Sequence, residues 1–135
     1  MTYKIDEIEG VGPAYAAKLE PAGIRTTDDL LKLCCDTGGR KAVAEKTGLS
    51  TTLLLKWANM ADLMRISGIG SEYSELLEAA GVDTVKELRN RRADNLAAKM
   101  AEVNSHRKLA RVVPSEKMVS GWIEQAGTLE SLISH

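Results

Sequence analysis

An internal repeat constrains this chain more than any other feature of its sequence. Residues 8–30 and 66–88 are identical at ten of 23 positions when they are aligned at a constant offset of 58. A repeat of this length predicts a supersecondary unit that occurs twice and buries its apolar face against a neighbour. We therefore expect two units, residues 1–61 and residues 62–135.

A serine and a tryptophan recur further along each copy, with a longer spacing. Ser50 and Trp57 correspond to Ser115 and Trp122 at an offset of 65. The second copy therefore carries about seven additional residues, which we place in the region 91–104. Each unit is expected to contain one helix that carries this tryptophan.

The spacing of apolar residues predicts helices throughout both copies. Short first helices are expected at residues 5–8 and 63–66, and each is followed by a turn and a second helix. A third helix begins at Thr26 or Thr84, with an acid three residues later, as in a capping box. No segment alternates apolar and polar residues between hairpin turns. We expect an all-α protein.

Two glycines that flank one apolar residue separate the first and second helices of each copy. The pattern is Ile8-x-Gly10-Val11-Gly12-Pro13 in the first copy and Ile66-x-Gly68-Ile69-Gly70-Ser71 in the second. It resembles the helix-hairpin-helix motif of DNA polymerases, ligases and repair proteins. The resemblance implies tandem helix-hairpin-helix repeats packed into one compact helical protein, with the middle apolar residue pointing into the core.

Main-chain amides at such turns meet phosphates, because helix N-termini and exposed backbone nests attract anions. Phosphate contacts are independent of nucleotide sequence. The first turn is the better candidate, since a lysine follows it one helical turn later. The predicted nucleic-acid-binding residues are Gly10, Val11, Gly12, Pro13, Lys18, Gly68, Ile69, Gly70, Ser71, Arg91, Arg92, Arg107, Lys108 and Arg111.

The residues after the second glycine of each pair depart from the DNA-binding pattern. Nucleic-acid-binding hairpins usually place Lys or Arg there, whereas this chain has Ala14 and Glu72. Glu75 and Glu78 continue on the same face of the helix. A row of carboxylates beside a phosphate is unfavourable at short range.

Charge is segregated along a chain whose net charge is -1. Residues 1–33 and 62–90 carry -2 and -3, whereas residues 34–61 and 91–135 each carry +2. The basic segments are either a phosphate-binding surface or solvated helix faces. Their clustered cations are Arg40, Lys41 and Lys46 in the first group, and Arg91, Arg92, Lys99, Arg107, Lys108 and Arg111 in the second.

Residues that could support catalysis or metal binding have no diagnostic spacing. The adjacent Cys34 and Cys35 are expected to be reduced thiols at a helix end, at least one of them in the core, with a metal or redox site as the alternative. Two scattered histidines do not complete a zinc pattern. The 19 acidic residues show no spacing typical of a metal-dependent nuclease. We expect no catalytic residues, metal or cofactor.

The sequence also bears on location. No stretch approaches the roughly 20 apolar residues of a membrane-spanning helix, and the N-terminal residues lack the apolar core of a signal peptide. We expect a cytoplasmic protein without a membrane partner.

Longer blocks of sequence resemble one bacterial family. ADLMRISGIGSEYSELLEAAGVDTVKELRNR in the second half, and GRKAVAEKTGLS in the first, are similar to the DUF4332 family over essentially the whole chain. Members of that family are similar to the helix-three-turn-helix module of flap endonucleases. The resemblance implies no catalytic site, because the flap endonuclease active site lies in a different, carboxylate-rich domain.

Two functions compete on this basis. The leading hypothesis is a non-enzymatic, sequence-independent DNA-binding module that uses hairpin amides and basic helices. The alternative is an adaptor for a protein partner, with the hairpin units as scaffold, which the near-neutral charge and Glu72 favour. Trp57 and Trp122 could stack on bases, but their repeated position on amphipathic helices predicts core packing.

Overall fold

A computed structural model describes residues 2–135, and the regular structure of that part of the chain is helical. Short 3₁₀ turns at Ile5–Glu7 and Glu20–Ala22 flank the first α-helix. The all-α prediction is confirmed. The eight α-helices within residues 2–135 are α1 (Pro13–Leu19), α2 (Thr27–Cys34), α3 (Thr37–Thr47), α4 (Thr51–Leu63), α5 (Ser71–Ala79), α6 (Val85–Leu88), α7 (Ala93–Arg107) and α8 (Glu116–Ala126).

Side-chain caps fix where several helices begin. Thr26 Oγ1 accepts the Asp29 N–H at 3.2 Å while Asp29 Oδ2 accepts the Thr26 N–H at 3.2 Å, so the predicted capping box is confirmed. In the second copy Thr84 accepts from the corresponding amide at 3.3 Å. Ser50 and Ser115 cap the two tryptophan-bearing helices in the same way.

The predicted short first helix is found in one copy and not in the other. In the first copy it is a three-residue 3₁₀ helix, Ile5–Glu7. In the second copy Leu63 is the last residue of α4 and Ile66 lies in the turn beyond it. Residues 51–63 contain no glycine or proline to break the helix, so α4 runs through the predicted unit boundary at residues 61–62.

The buried apolar side chains form two clusters. The first extends from Ile5 to Met64 and also includes Ile133. The second extends from Leu63 to Ala126. Because α4 contributes side chains to both clusters, this helix positions the two halves of the molecule relative to each other.

An aromatic pair occupies the same position in each half. Tyr15 and Trp57 have ring centroids 5.1 Å apart, and those of Tyr73 and Trp122 are 5.2 Å apart. The two indoles are 1% and 3% exposed, so they pack in the core and are not free to stack on bases. Tyr15 packs on Trp57 at the edge of the first cluster and is 38% exposed.

The additional residues of the second copy lie further along the chain than the sequence predicted. α7 has 15 residues, whereas α3, its counterpart, has 11. Residues 108–115 then connect α7 to α8, where only residues 48–50 connect α3 to α4. Much of the insertion is therefore a loop after α7, outside the predicted region 91–104.

The two cysteines are free thiols at the end of α2, as predicted. Cys34 is buried, and burial raises the pKa of its thiol to about 11. Arg40, predicted to belong to a basic surface, is instead buried and donates to the Cys34 carbonyl at 3.0 Å and to the Ser134 carbonyl at 2.8 Å. Within residues 2–135, no helix is both long enough and apolar enough to cross a bilayer.

Candidate nucleic-acid interface

The two glycine turns, residues 10–12 and 68–70, have the same backbone geometry. Gly10 and Gly68 have φ values of 91° and 96°, a region that side chains with a Cβ rarely occupy. Val11 and Ile69, which follow them, are buried in the two apolar clusters. Each turn therefore folds back on its own core.

The second glycine of each turn is not required by the fold. Gly12 and Gly70 are the N-cap residues of α1 and α5, with extended backbone angles that any residue can adopt. A Cβ added at either position would meet no atom of residues 2–135 within 4 Å, its chain neighbours aside. The missing side chain leaves the start of each helix bare on its outer side.

Main-chain amides at these helix starts are available for an external acceptor. The Ala16 N–H bonds to the Gly12 carbonyl at 3.0 Å and so closes the first turn of α1. Pro13 has no N–H, and within the described chain the N–H groups of Ala14 and Tyr15 have no hydrogen-bond acceptor.

Both turns border the same cleft, which has a volume of about 810 Å³. Gly10, Val11 and Gly12 line it from one side, and Gly70 and Ser71 from the other. These five predicted residues are thus brought together. The predicted residues Pro13 and Lys18 are exposed at the two ends of α1. Gly68 and Ile69 immediately precede Gly70 and Ser71, the two residues of the second turn that line the cleft.

Carboxylates also line the cleft, and sequence reasoning did not place them there. Asp6, Glu7 and Glu9 precede the first turn and border the same space. A neighbouring pocket of about 680 Å³ is lined by Glu9 together with Lys108 and Arg111 of the loop after α7. Glu72 lines this neighbouring pocket as well, so the interface is of mixed charge.

An ion pair lies beside the second turn. Arg111 Nη2 lies 2.8 Å from Glu72 Oε2, and the Arg111 main-chain N–H donates to Glu72 Oε1 at 2.9 Å. The side-chain hydrogen bond to Arg111 lowers the pKa of Glu72, and the same contact raises the pKa of Arg111. Glu72, predicted to repel phosphate, is thus already paired with Arg111.

Glu75, one turn further along α5, is not paired in this way. Partial burial raises the pKa of its carboxyl group, and the negative charge of Glu9 raises it further. Lys56 and Arg107 act in the opposite direction. The acids of the two halves therefore face each other close to the cleft.

Lys108 is held at the interface by an unusual backbone conformation. Its φ is 51°, and among residues 2–135 no other residue except glycine has a positive φ. Asn104, which is buried, accepts the Ala110 N–H at 2.9 Å and donates to the Ala110 carbonyl at 3.0 Å. This pair of bonds closes the loop around Lys108 and directs the chain back toward the second turn.

The second predicted basic group does not form one surface. Arg107 is the last residue of α7, and Lys108 and Arg111, in the loop that follows, line the pocket next to the cleft. Arg91 and Arg92 lie at the N-terminal end of α7 and pair with carboxylates at 2.6 and 3.0 Å. A 15-residue helix is about 22 Å long, so the two sets of cations occupy different places.

Some features of the interface had no local sequence signal. The Glu72–Arg111 pair and the bond from Tyr73 Oη to the Val112 carbonyl each join residues 39 positions apart. Asn104 fixes the loop after α7 through its two bonds to Ala110, and the repeat alignment did not locate that loop. Within residues 2–135, no three His, Cys, Asp or Glu side chains are grouped so that they could hold a metal ion.

Comparison with known protein families gives a match over most of the chain. Residues 9–129 match the family described as Domain of unknown function (DUF4332). Comparison with curated proteins and with solved structures finds no match. Because the matched residues cover most of the chain and include both glycine turns and the eight α-helices described above, the chain belongs to the DUF4332 family.

Proposed function

We propose that this chain is a non-enzymatic module that binds nucleic acid independently of sequence, through two helix-hairpin-helix units. The phosphate backbone contacts the main-chain N–H groups of Gly12, Ala14 and Tyr15, and those of Gly70–Tyr73. Lys108, in the pocket next to the cleft, adds a charged contact. Such contacts carry no information about base sequence.

One observation carries the proposal. Gly12 and Gly70 occupy equivalent positions, have ordinary backbone angles, and border the same cleft. A Cβ at either position would meet nothing within 4 Å in the described residues other than its neighbours, so packing within the chain does not account for either glycine. A ligand backbone that approaches closely from outside does account for both.

The charges around the cleft limit how tightly a phosphate is bound. Asp6, Glu7 and Glu9 oppose an anion, whereas Lys108 attracts it. We therefore expect dissociation constants of about 10⁻⁶ to 10⁻⁴ M, in the range of non-specific binding, that weaken as salt is raised.

Fluorescence anisotropy of labelled single-stranded and duplex DNA tests the proposal. Two oligonucleotides of unrelated sequence should bind with similar affinity at low salt and lose affinity at about 150 mM salt. Glu9→Gln removes a carboxylate from the cleft and should tighten binding by about twofold to threefold. Glu45→Gln, an exposed position on α3, is the matched control and should leave binding unchanged. Absence of binding at low salt would contradict the proposal.

The carboxylates in the cleft favour a second candidate, an adaptor for a protein partner. Asp6, Glu7 and Glu9 would attract a basic peptide to the same two turns. The two functions predict opposite effects of Glu9→Gln, since losing this charge strengthens binding of nucleic acid and weakens binding of a basic peptide. Titration of the variant with DNA and with a lysine-rich peptide therefore separates them.

A further inference from the structure

A second pocket, far from the cleft, combines several cations. It has a volume of about 440 Å³ and lies between the end of α6 and the first turns of α7. Its lining includes no carboxylate among the described residues. The polar side chains that line it are those of Asn90, Arg91, Arg92, Asn95 and Lys99. We call this the basic pocket.

Arg91 is fixed in the wall of the basic pocket. Its Nη2 donates to Glu87 Oε1 at 2.6 Å and to the Gly81 carbonyl at 3.0 Å, and its Nε donates to the same carboxylate oxygen at 3.2 Å. These bonds leave Nη1 without a hydrogen-bond partner among residues 2–135. A guanidinium held in this way has already lost much of its rotamer freedom, so less entropy is lost when it binds an anion.

The other two cations are less engaged. Arg92 Nη2 contacts Asp94 Oδ2 at 3.0 Å, and no bond from its other two nitrogens is formed within the described chain. Lys99 is exposed and has no carboxylate within 4.0 Å in residues 2–135. The three cations thus outnumber the two carboxylates that contact them, and the excess charge belongs to Lys99.

We propose that the basic pocket binds a phosphate monoester. A monoester carries up to two negative charges and three terminal oxygens, which suit two guanidinium groups and an ammonium group. It is also attached at one side only, so it can enter a pocket end-on. A phosphodiester continues in both directions and is better suited to an open cleft. This site is separate from the nucleic-acid interface, because it lies at the opposite end of α7.

Titration of the ¹⁵N-labelled chain with inorganic phosphate tests the pocket directly. The amide signals of residues 90–95 should shift, and those of the glycine turns should not. Lys99→Met should weaken phosphate binding by about tenfold or more, because one charge-assisted bond is lost. Lys41→Met, an exposed lysine of α3, is the matched control and should change binding by less than about twofold. Shifts spread over many surface lysines, or equal effects of the two substitutions, would overturn the proposal.

Two oligonucleotides distinguish the source of the monoester. If the ligand is the end of a nucleic-acid strand, a 5′-phosphorylated oligonucleotide should bind about fivefold more tightly than its 5′-hydroxyl form, and Lys99→Met should remove the difference. If inorganic phosphate binds through Lys99 without this preference, the ligand is a small phosphorylated molecule. Both outcomes support the pocket, and neither depends on the cleft, since the 5′-hydroxyl oligonucleotide reports on the cleft alone.

Discussion

At the scale of single residues, the four glycines of the two turns divide into two kinds. Gly10 and Gly68 are required by a left-handed backbone, whereas Gly12 and Gly70 adopt ordinary angles and face open space. The sequence pattern treats both kinds alike, because it contains no information on φ. Distortion of the first turn by a side chain at Gly12 is therefore not expected, and the sensitive position is Gly10.

Alanine substitution separates the two kinds of glycine. Gly10→Ala should lower the free energy of unfolding by roughly 1–2 kcal/mol, the cost of a left-handed residue that carries a Cβ. Gly68→Ala should cost more, because its Cβ would also lie 3.1 Å from Trp122 Nε1. Gly12→Ala should cost less than about 1 kcal/mol, the difference between glycine and alanine at an N-cap. Urea denaturation measures all three, and equal losses for Gly10→Ala and Gly12→Ala would contradict this assignment.

The backbone of Lys108 has a positive φ, which is strained for a residue with a side chain. Lys108→Gly should raise the free energy of unfolding by roughly 0.5–1 kcal/mol, because glycine adopts a left-handed C-cap without strain. The same change should weaken DNA binding and reduce the slope of log affinity against log salt by about one. Lys41→Gly, within α3, should instead destabilise the chain by about 1 kcal/mol and leave the slope unchanged. A lower free energy of unfolding for Lys108→Gly than for the original chain would show that the backbone at Lys108 is not strained.

At the scale of helices, the residues at which several helices begin were predictable from the sequence, whereas the length of α4 and the loop after α7 were not. Thr26 and Thr84 cap α2 and α6 as predicted, and Ser50 and Ser115 cap α4 and α8 in the same way, because a cap depends on residues three apart. The length of α4 depends on packing against both clusters, so a boundary inferred from the repeat fell inside it. The loop after α7 is held by Asn104 and by the Glu72–Arg111 pair, which are contacts between distant residues.

The capping box of α2 predicts a pH dependence of stability. A hydrogen bond from the Arg25 main-chain N–H, together with those from Thr26, lowers the pKa of Asp29 below its ordinary value. A carboxyl group whose pKa is lower in the folded state stabilises the fold above its unfolded pKa. That contribution is lost as the pH falls below about 4. Asp29→Asn should therefore reduce the acid sensitivity of the unfolding free energy.

The neighbouring Asp28 provides the control for this experiment. It is exposed on the same turn of α2 and is not part of the capping box. Asp28→Asn should leave the difference in unfolding free energy between pH 7 and pH 3 nearly unchanged. If the two substitutions alter that difference equally, the capping box does not account for it.

At the scale of the whole molecule, arginines tie the C-terminal segment to both halves. Arg89 donates to the Leu129 carbonyl at 3.2 Å and Arg65 to the Glu130 carbonyl at 2.9 Å. Arg40 reaches the Ser134 carbonyl at 2.8 Å. These bonds join residues 40 to 94 positions apart, so no local pattern predicted them. The sequence therefore predicted the helical class and the paired turns, but not how the turns are brought to one cleft.

The central claim is that the bare helix starts at Gly12 and Gly70 bind phosphate, and the double substitution Gly12→Ser/Gly70→Ser tests it most directly. Serine is favoured at an N-cap, so the unfolding free energy should be unchanged or should rise by a few tenths of a kcal/mol. Its hydroxyl would accept from the same amides and its Cβ would occupy the open space, so DNA affinity at low salt should fall by about fivefold or more. A stable double variant that binds DNA as tightly as the original chain would contradict the account.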